Sequence, residues 1–322
     1  MQKQKIATVF GGTGFVGRAI VQRLAKAGYI VRVPTRDLVK AARLRTAGEV
    51  GQVVPLFCPI TSDAALASAV KNADVVINLI GILYESRAGR FQSIQAELPG
   101  RLARAARTAG VLRFIHVSAI GADSNSKAKY ARSKAAGERA VRDAFPAATI
   151  LRPSIIFGPE DNFFNQFARM AAALPFLPLI GGGKTLFQPV YVGDVAAAVL
   201  ACCERADTQG LTYELGGPEA MSFKQLMQKT LEWSGQKSCL LTVPFPLAKL
   251  KASILGLMPT PLLTCDQVEL LKTDNIVRDP GDLNGSDVGF LWHLGNKPTA
   301  MESIVPEYLS RLRPGGPFTK VA

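Results

Sequence analysis

Residues that form disulfides or bind metals are scarce in this sequence. Its 322 residues include five cysteines without Cys-x-x-Cys spacing and two histidines, His116 and His293. These counts exclude a disulfide scaffold and argue against a zinc site, so we predict reduced thiols and no bound metal. Long apolar runs, short repeats and sustained heptads are also missing, which excludes a transmembrane helix, a solenoid and a coiled coil.

Acidic residues are few relative to basic ones. Lys and Arg number 38 against 25 Asp and Glu, giving a formal net charge of +13. This surplus predicts an acidic partner, an anionic ligand or an anionic membrane surface. Aromatic residues make up only 7% of the chain and no RNA-binding signature accompanies the basic residues, so we expect no nucleic-acid partner. The first strand pattern begins at Ile6, too early for a targeting sequence, so we expect the protein to stay in the compartment where it is made.

Strand and helix patterns alternate through the first half of the chain. Mostly apolar runs, such as residues 6–10 and 114–118, are separated by single helical patterns, which indicates a parallel sheet buried on both faces. We therefore predict an α/β fold with a doubly wound parallel sheet and a smaller C-terminal lobe. The predicted parts are a sheet domain over 1–153, a lobe interleaved with the sheet over 154–275 and an extended tail over 276–322.

A glycine-rich turn follows the first strand and leads into a helical pattern. Gly11, Gly14 and Gly17 have the spacing G-x-x-G-x-x-G. Glycine permits the tight turn, the approach of the backbone to a pyrophosphate and close helix–strand packing. Free N–H groups at the start of the helix then bind the phosphates. The sequence therefore predicts a Rossmann-type dinucleotide site; the alternative is a glycine turn that serves packing alone.

The end of the second strand bears on which dinucleotide binds. An NAD site usually has an acidic residue there for the ribose hydroxyls, whereas this chain has Thr35 and Arg36, with Asp37 one step further. A guanidinium suits a 2′-phosphate through paired hydrogen bonds. We therefore expect NADP(H) to be favoured over NAD(H).

A tyrosine and a lysine share one face of a later helical pattern. Tyr130 and Lys134 are four residues apart, and Ser118 ends the preceding strand, where ligands of parallel sheets bind. A nearby ammonium would lower the pKa of the tyrosine and let it act as acid or base, while Ser118 could orient a carbonyl. The alternative is a packed tyrosine beside a solvated lysine.

Several motifs together resemble the extended or atypical short-chain dehydrogenase/reductase superfamily. They are GGTGFVGR (11–18), Ser118, YARSK (130–134), RPSIIFGPE (152–160) and VYVGDVAAAV (190–199). A closer resemblance covers residues 5–275 through FIHVS (114–118), KYARSKAAGE (129–138), FGPEDNFFNQFA (157–168), QPVYVGDVA (188–196) and T-x-D-x-V-E-L-L-K-T-D (264–274). It is to the short-chain-dehydrogenase-like accessory subunits of respiratory complex I, NADH:ubiquinone oxidoreductase.

This resemblance implies a structural or assembly role with bound NADPH, on the peripheral arm near the membrane and the quinone region. It implies other complex I subunits as partners and a peripheral place at the cytoplasmic face of a bacterial inner membrane, or at the matrix side in mitochondria. The cofactor-binding set that we predict is Gly11, Thr13, Gly14, Phe15, Val16, Gly17, Arg36, Leu79, Ser118, Tyr130, Lys134, Pro153 and Ile156.

Two features leave alternatives open. The chain has Cys58-Pro59 where superfamily enzymes usually have Gly-Asp at the adenine, and its Ser118, Tyr130 and Lys134 set is intact. We predict a non-catalytic subunit, with a free NADP-dependent reductase or epimerase of a small carbonyl or sugar-like substrate as the alternative.

A helical pattern over 247–258 is either core-facing or, with its lysines toward lipid phosphates, interfacial.

Overall fold

The computed structural model describes residues 4–255, 263–278 and 288–316. The strands are β1 (Ile6–Phe10), β2 (Ile30–Thr35), β3 (Val53–Phe57), β4 (Val75–Asn78), β5 (Arg113–Val117), β6 (Thr149–Pro153), β7 (Ile156–Phe157), β8 (Phe176–Ile180), β9 (Leu186–Phe187), β10 (Val190–Tyr191), β11 (Thr212–Leu215), β12 (Met221–Ser222), β13 (Cys239–Val243) and β14 (Val288–Phe290). The helices are α1 (Phe15–Lys26), α2 (Leu38–Ala42), α3 (Asp63–Val70), α4 (Leu98–Thr108), α5 (Lys129–Ala144), α6 (Phe164–Ala173), α7 (Val192–Glu204), α8 (Phe223–Ser234), α9 (Phe245–Leu255), α10 (Cys265–Leu270) and α11 (Val305–Leu309).

Eight strands form one parallel sheet. Their order is β14-β11-β6-β5-β4-β1-β2-β3, and each neighbouring pair is parallel. The order reverses at β1, which pairs with β2 on one side and β4 on the other, and this reversal opens a crevice at the carboxyl ends of the strands. The predicted doubly wound α/β fold is confirmed.

The first of two compact units comprises the described parts of Met1–Pro153, Gly193–Leu215 and Arg278–Lys297. It contains the sheet. On one face of the sheet, α3, α4 and α5 bury Leu66, Leu102 and Val141 against Val76 and Phe114. This apolar layer fixes the helices whose first turns lie near the carboxyl ends of the strands.

The second unit comprises the described parts of Ser154–Val192, Gly216–Val277 and Pro298–Ala322. Three two-stranded sheets, β7–β10, β8–β13 and β9–β12, accompany a core in which α6, α8 and α11 pack. Asp161 caps the start of α6 by accepting the N–H groups of Phe163 and Asn165, and the Tyr308 hydroxyl of α11 donates to the same carboxylate. This buried carboxylate therefore joins α11 to the turn before α6.

The segment expected to be an extended tail contains regular structure where it is described. β14 pairs with β11 at the edge of the large sheet, and α11 belongs to the core of the second unit. The predicted helix over 247–258 corresponds to α9, with residues 256–262 outside the described residues. Ala248 and Ala252 of α9 are buried against Val268, while Leu247 and Leu250 are exposed. None of the described helices is long and apolar enough to span a bilayer.

Candidate nucleotide-binding site

The turn after β1 disfavours side chains at two of its glycines. Gly11 has a φ of +82°, and a Cβ there would lie 3.2 Å from the backbone of Leu79. A Cβ on Gly17 would lie 2.2 Å from the Gly11 carbonyl oxygen. Gly11 therefore provides the left-handed turn that L-residues rarely adopt, and Gly17 provides the contact between α1 and that turn.

Gly14 differs from its neighbours because it caps α1 and is exposed. A Cβ on Gly14 would meet only the Gly11 carbonyl oxygen, at 3.3 Å. The first turn of α1 contains no acidic residue, and the amides of Phe15, Val16 and Gly17 precede the first bond of the helix, from Arg18 N to Gly14 O. Unpaired amides and the positive end of the helix dipole make this surface an anion site.

At the end of β2, the acidic and basic side chains have different roles. The carboxylate of Asp37 accepts the Lys40 N–H at 2.9 Å and so caps α2, and the Thr35 hydroxyl accepts the Asp37 N–H. Arg36 is exposed beside them and has no ion pair within the described residues. The nearest acid thus already has a backbone partner, while the guanidinium remains available for a phosphate.

The residues after β3 and β4 lie beside the glycine turn. Leu79 donates its N–H to the Phe10 carbonyl at 2.9 Å. The Cys58 N–H donates to the Thr35 carbonyl, and burial raises the pKa of the Cys58 thiol, so this position offers no charge or carboxylate to an adenine. An adenine at this position would therefore be held by apolar contacts and by backbone groups.

Ser118, Tyr130 and Lys134 are close together in the first unit. Lys134 Nζ lies 3.4 Å from the Val117 carbonyl oxygen, to which it donates, and 5.9 Å from the centre of the Tyr130 ring. Ser118 directly follows β5, and its hydroxyl is buried without a hydrogen-bond partner in the described structure. An unpartnered buried hydroxyl beside a buried ammonium fits a ligand with hydroxyl or carbonyl oxygens.

Burial shifts the pKa values of the two ionisable groups in opposite directions. It raises the pKa of Tyr130 to about 12. It lowers the pKa of Lys134 to about 8, an effect that the carboxylate of Glu138 partly offsets. At neutral pH the tyrosine is therefore protonated and the lysine is mostly charged, so both donate hydrogen bonds.

Sequence reasoning missed three buried polar residues around this lysine. Gln95 belongs to a π-helical turn, Gln92–Glu97, that runs directly into α4. Its amide nitrogen donates to the Ser133 hydroxyl at 2.8 Å and its amide oxygen accepts the Ile82 N–H at 3.1 Å, so it joins α5 to the loop after β4. Its neighbours Gln92, Ser93 and Glu97 are also polar, so no local signal in the sequence set Gln95 apart.

Asn78 and His116 are the other two missed residues, and they pair across β4 and β5. The Asn78 amide oxygen accepts the Ile80 N–H, so its nitrogen faces His116 Nδ1 at 3.2 Å. Burial, assisted by the charge of Lys134, lowers the pKa of His116 to about 3. The imidazole is therefore neutral, and its Nε2 is buried without a hydrogen-bond partner in the described structure.

The remaining predicted residues fall in different places. Thr13 lies in the glycine turn, where its carbonyl accepts from the Arg18 guanidinium at 3.0 Å. Pro153 ends β6, and its carbonyl accepts the Ile120 N–H at 3.0 Å. Ile156 begins β7, in the second unit. No group of three or more His, Cys, Asp or Glu residues suited to a metal occurs among the residues described.

These features together fit a bound dinucleotide: a glycine turn that disfavours side chains at Gly11 and Gly17, free amides at a helix start, and an unpartnered buried hydroxyl. The sequence also matches the profile of the NAD dependent epimerase/dehydratase family over residues 7–216. The chain belongs to that family. Members of this family and structural neighbours of the chain bind NAD or NADP, which agrees with the geometry of the turn after β1.

Relatives extend beyond the part that the family profile covers. NADH dehydrogenase (ubiquinone) 1 alpha subcomplex subunit 9, mitochondrial, of Arabidopsis thaliana is 38% identical over 97% of this chain and 79% of its own length. The resemblance inferred from the motifs is thereby confirmed. A ceramide reductase of Caulobacter vibrioides is 32% identical over 75% of this chain and 74% of its own. The NADPH-dependent quinone oxidoreductase QOR2 of Escherichia coli has the same fold, with a TM-score of 0.72, 21% identity and coverage of 93% and 98%.

Proposed function

We propose that this chain is an NADP(H)-binding accessory subunit of respiratory complex I that serves structure and assembly without turning the nucleotide over. The observation that carries the proposal is the extent of similarity to the Arabidopsis subunit, 97% of the chain. The family profile ends at residue 216, whereas this similarity, at 38% identity, continues through the last third of the chain.

NADP(H) is the proposed nucleotide because of the groups at the end of β2. Arg36 is available for a 2′-phosphate, while Asp37 is committed to capping α2. Gly11, Gly14 and Gly17 would hold the pyrophosphate at the start of α1, with Thr13, Phe15 and Val16 around it. The nucleotide supplies the capacity for hydride exchange, but the proposed role uses only its binding.

The nicotinamide half of the nucleotide would contact Ser118, Tyr130 and Lys134. Tyr130 and Lys134 would donate to the ribose hydroxyls, and Ser118 would supply the hydroxyl that has no partner in the described structure. Leu79, Pro153 and Ile156 complete the proposed set. Because a ligand that binds only the folded state stabilises it, the nucleotide would act as a folding ligand.

The proposed place of the protein is the peripheral arm, near the membrane and the quinone region, with other complex I subunits as partners. In a bacterium this is the cytoplasmic face of the inner membrane, and in mitochondria the matrix side. The exposed leucines and lysines of α9 support a peripheral position near lipid.

The decisive experiment is gentle extraction of native membranes with detergent, followed by sedimentation and identification of the retained nucleotide by mass. We expect the protein to sediment with NADH:ubiquinone oxidoreductase activity and to carry NADP(H). A protein that sediments alone, folded and free of nucleotide, would contradict the proposal.

A second candidate function is a free NADP-dependent reductase or epimerase that acts on a small carbonyl or sugar-like substrate. The arrangement of Ser118, Tyr130 and Lys134 favours it, as does the similarity to a ceramide reductase. Its test is a substrate-dependent change in nicotinamide absorbance that Tyr130→Phe abolishes. No turnover across a broad panel of carbonyl compounds, ceramide precursors included, would eliminate this candidate.

A further inference from the structure

A groove on the outer surface of the helix layer lies apart from the residues of the nucleotide site. It runs between α3 and α4, whose inner faces bury Leu66 and Leu102 in the core of the first unit. Its volume is about 650 Å³. Both helices connect parallel strands and so run in the same direction. The eight residues of α3, with a rise of about 1.5 Å per residue, make the groove about 12 Å, or two helical turns, long.

The floor of the groove consists of small side chains. Ala67 and Ser68 contribute from α3, and Ala105, Thr108 and Ala109 contribute from α4 and its end. The distance between packed helices depends on the side chains at the contact, so a floor of methyl and hydroxyl groups lets another helix approach closely. The floor offers no buried charge to a small anion.

The rim of the groove carries three cations and one acid. The Arg101 guanidinium is held in place by Asp63, at 2.8 Å from Nε, and by the carbonyls of Ile60 and Thr61, both at 3.1 Å. Arg104 and Lys71 are exposed and have no hydrogen bond or ion pair from their side chains in the part of the chain that the structure describes. Asp63 neutralises one cation, which leaves a net charge of +2 on the rim.

We propose that this groove docks an acidic amphipathic helix of another protein chain. The small floor accepts the apolar stripe of such a helix, and acids on its two flanks pair with Arg104 on α4 and Lys71 across the groove. Arg101 already binds Asp63 and the Ile60 and Thr61 carbonyls, so it shapes the rim, and the pairing with acids falls to Arg104 and Lys71. The positive charge of the whole chain, +13, favours approach of an acidic partner. This inference is independent of the nucleotide and of the proposed function.

The first test is photocrosslinking in cells of the native host that make the full chain. p-Benzoylphenylalanine replaces Ala67 on the groove floor or, as a control, the exposed Ala136 on α5. Irradiation and mass spectrometry of the products identify the contacted peptide. We expect Ala67, but not Ala136, to give a crosslink to one protein segment with a helical apolar stripe and flanking acids.

The second test reverses the rim charges. In the Ala67 background, Lys71→Glu with Arg104→Glu should lower the crosslink yield about tenfold, because like charges then face each other. Lys127→Glu with Arg139→Glu, which changes the net charge equally at exposed positions, should leave the yield unchanged. Melting temperature and retained nucleotide, measured on all forms, establish that each double variant folds. If the charge-reversed rim variant does not fold, Lys71→Gln with Arg104→Gln, which removes the two rim charges without reversing them, takes its place.

Four results would overturn the proposal. They are no crosslink at Ala67, a crosslink to lipid or nucleic acid, a crosslink to a second copy of this chain, and a crosslink to a segment without acids. Equal yields from the two folded double variants would overturn it as well, since the rim charges would then play no part.

Discussion

Replacing Gly14 or Gly17 with alanine should separate nucleotide binding from folding, because the two glycines have different surroundings. A methyl at Gly17 would lie 2.2 Å from the Gly11 carbonyl oxygen and 2.6 Å from the Gly12 Cα, and neither backbone atom can rotate away. A methyl at Gly14 would meet only the Gly11 oxygen, at 3.3 Å. The Gly14 backbone, with φ −76° and ψ 175°, is open to alanine.

The expected magnitudes differ accordingly. Overpacking at Gly17 should lower the free energy of unfolding by about 1–3 kcal/mol or more, with or without nucleotide. Alanine in place of glycine at the cap position of Gly14 should cost at most about 1 kcal/mol in the nucleotide-free protein. Wild type should gain about 4 kcal/mol from NADPH at a thousandfold excess over Kd. Gly14→Ala should lose most of that gain, because its methyl covers the amides offered to the phosphates.

Thermal unfolding with and without NADPH, followed by circular dichroism, measures both effects. Wild type should melt at a clearly higher temperature with NADPH, Gly14→Ala should melt at nearly the same temperature in both conditions, and Gly17→Ala should melt lower in both. If Gly14→Ala keeps the full rise with NADPH, the turn after β1 does not hold the phosphates. If Gly17→Ala melts like wild type, the close contact between α1 and the turn carries no stability.

Three further outcomes are expected. Arg36→Ala should weaken NADP⁺ binding by roughly 1.5–3 kcal/mol in calorimetric titrations and leave NAD⁺ binding unchanged, because only the 2′-phosphate contacts the guanidinium. Arg45→Ala, the control, should change neither affinity. Burial lowers the pKa of His116 in the folded protein to about 3, below its unfolded value near 6.5, so the folded state loses stability as the pH falls below about 6.5. Between pH 7 and pH 5 the free energy of unfolding, measured with urea, should fall by roughly 2 kcal/mol, and His116→Gln should remove this fall. Tyr308→Phe should cost roughly 1.5–3 kcal/mol by the same assay, because its hydroxyl donates to a buried carboxylate; equal stability would mean that Asp161 does not need this donor.

The sheet could be predicted from the sequence because its strands are buried on both faces. β1, β4 and β5 are mostly apolar and each is followed along the chain by a helix, and that pattern has few other solutions. β14 was not predicted, since Val288–Phe290 is too short for a local signal and owes its place to pairing with β11. The π-helical turn at Gln92–Glu97 cannot be distinguished from ordinary helix in the sequence, because the two differ in hydrogen-bond spacing and hardly in composition.

The glycine turn and the Tyr130–Lys134 pair could also be found in the sequence, since spacing along one helix or turn fixes their geometry. The buried partners could not. Gln95 meets Ser133 and Ile82 only after α4 and α5 pack together, and a Cβ on Gly137 would lie 2.0 Å from the Gln95 carbonyl oxygen. Contacts of this kind arise from tertiary packing between elements, which local patterns do not encode.

Whether Tyr130 transfers protons or only holds a ribose depends on its pKa. Burial raises that pKa to about 12, and Lys134, 5.9 Å from the ring, does not bring it down. A general acid or base works best with a pKa near the operating pH, so the chain by itself holds Tyr130 as a hydrogen-bond donor. Spectrophotometric titration of the phenolate, with Tyr130→Phe subtracted, should give a pKa near 12 both without NADP⁺ and with it. A fall toward neutrality on binding of NADP⁺ would mean that the cation of the nicotinamide activates the tyrosine, and the non-catalytic assignment would then be wrong.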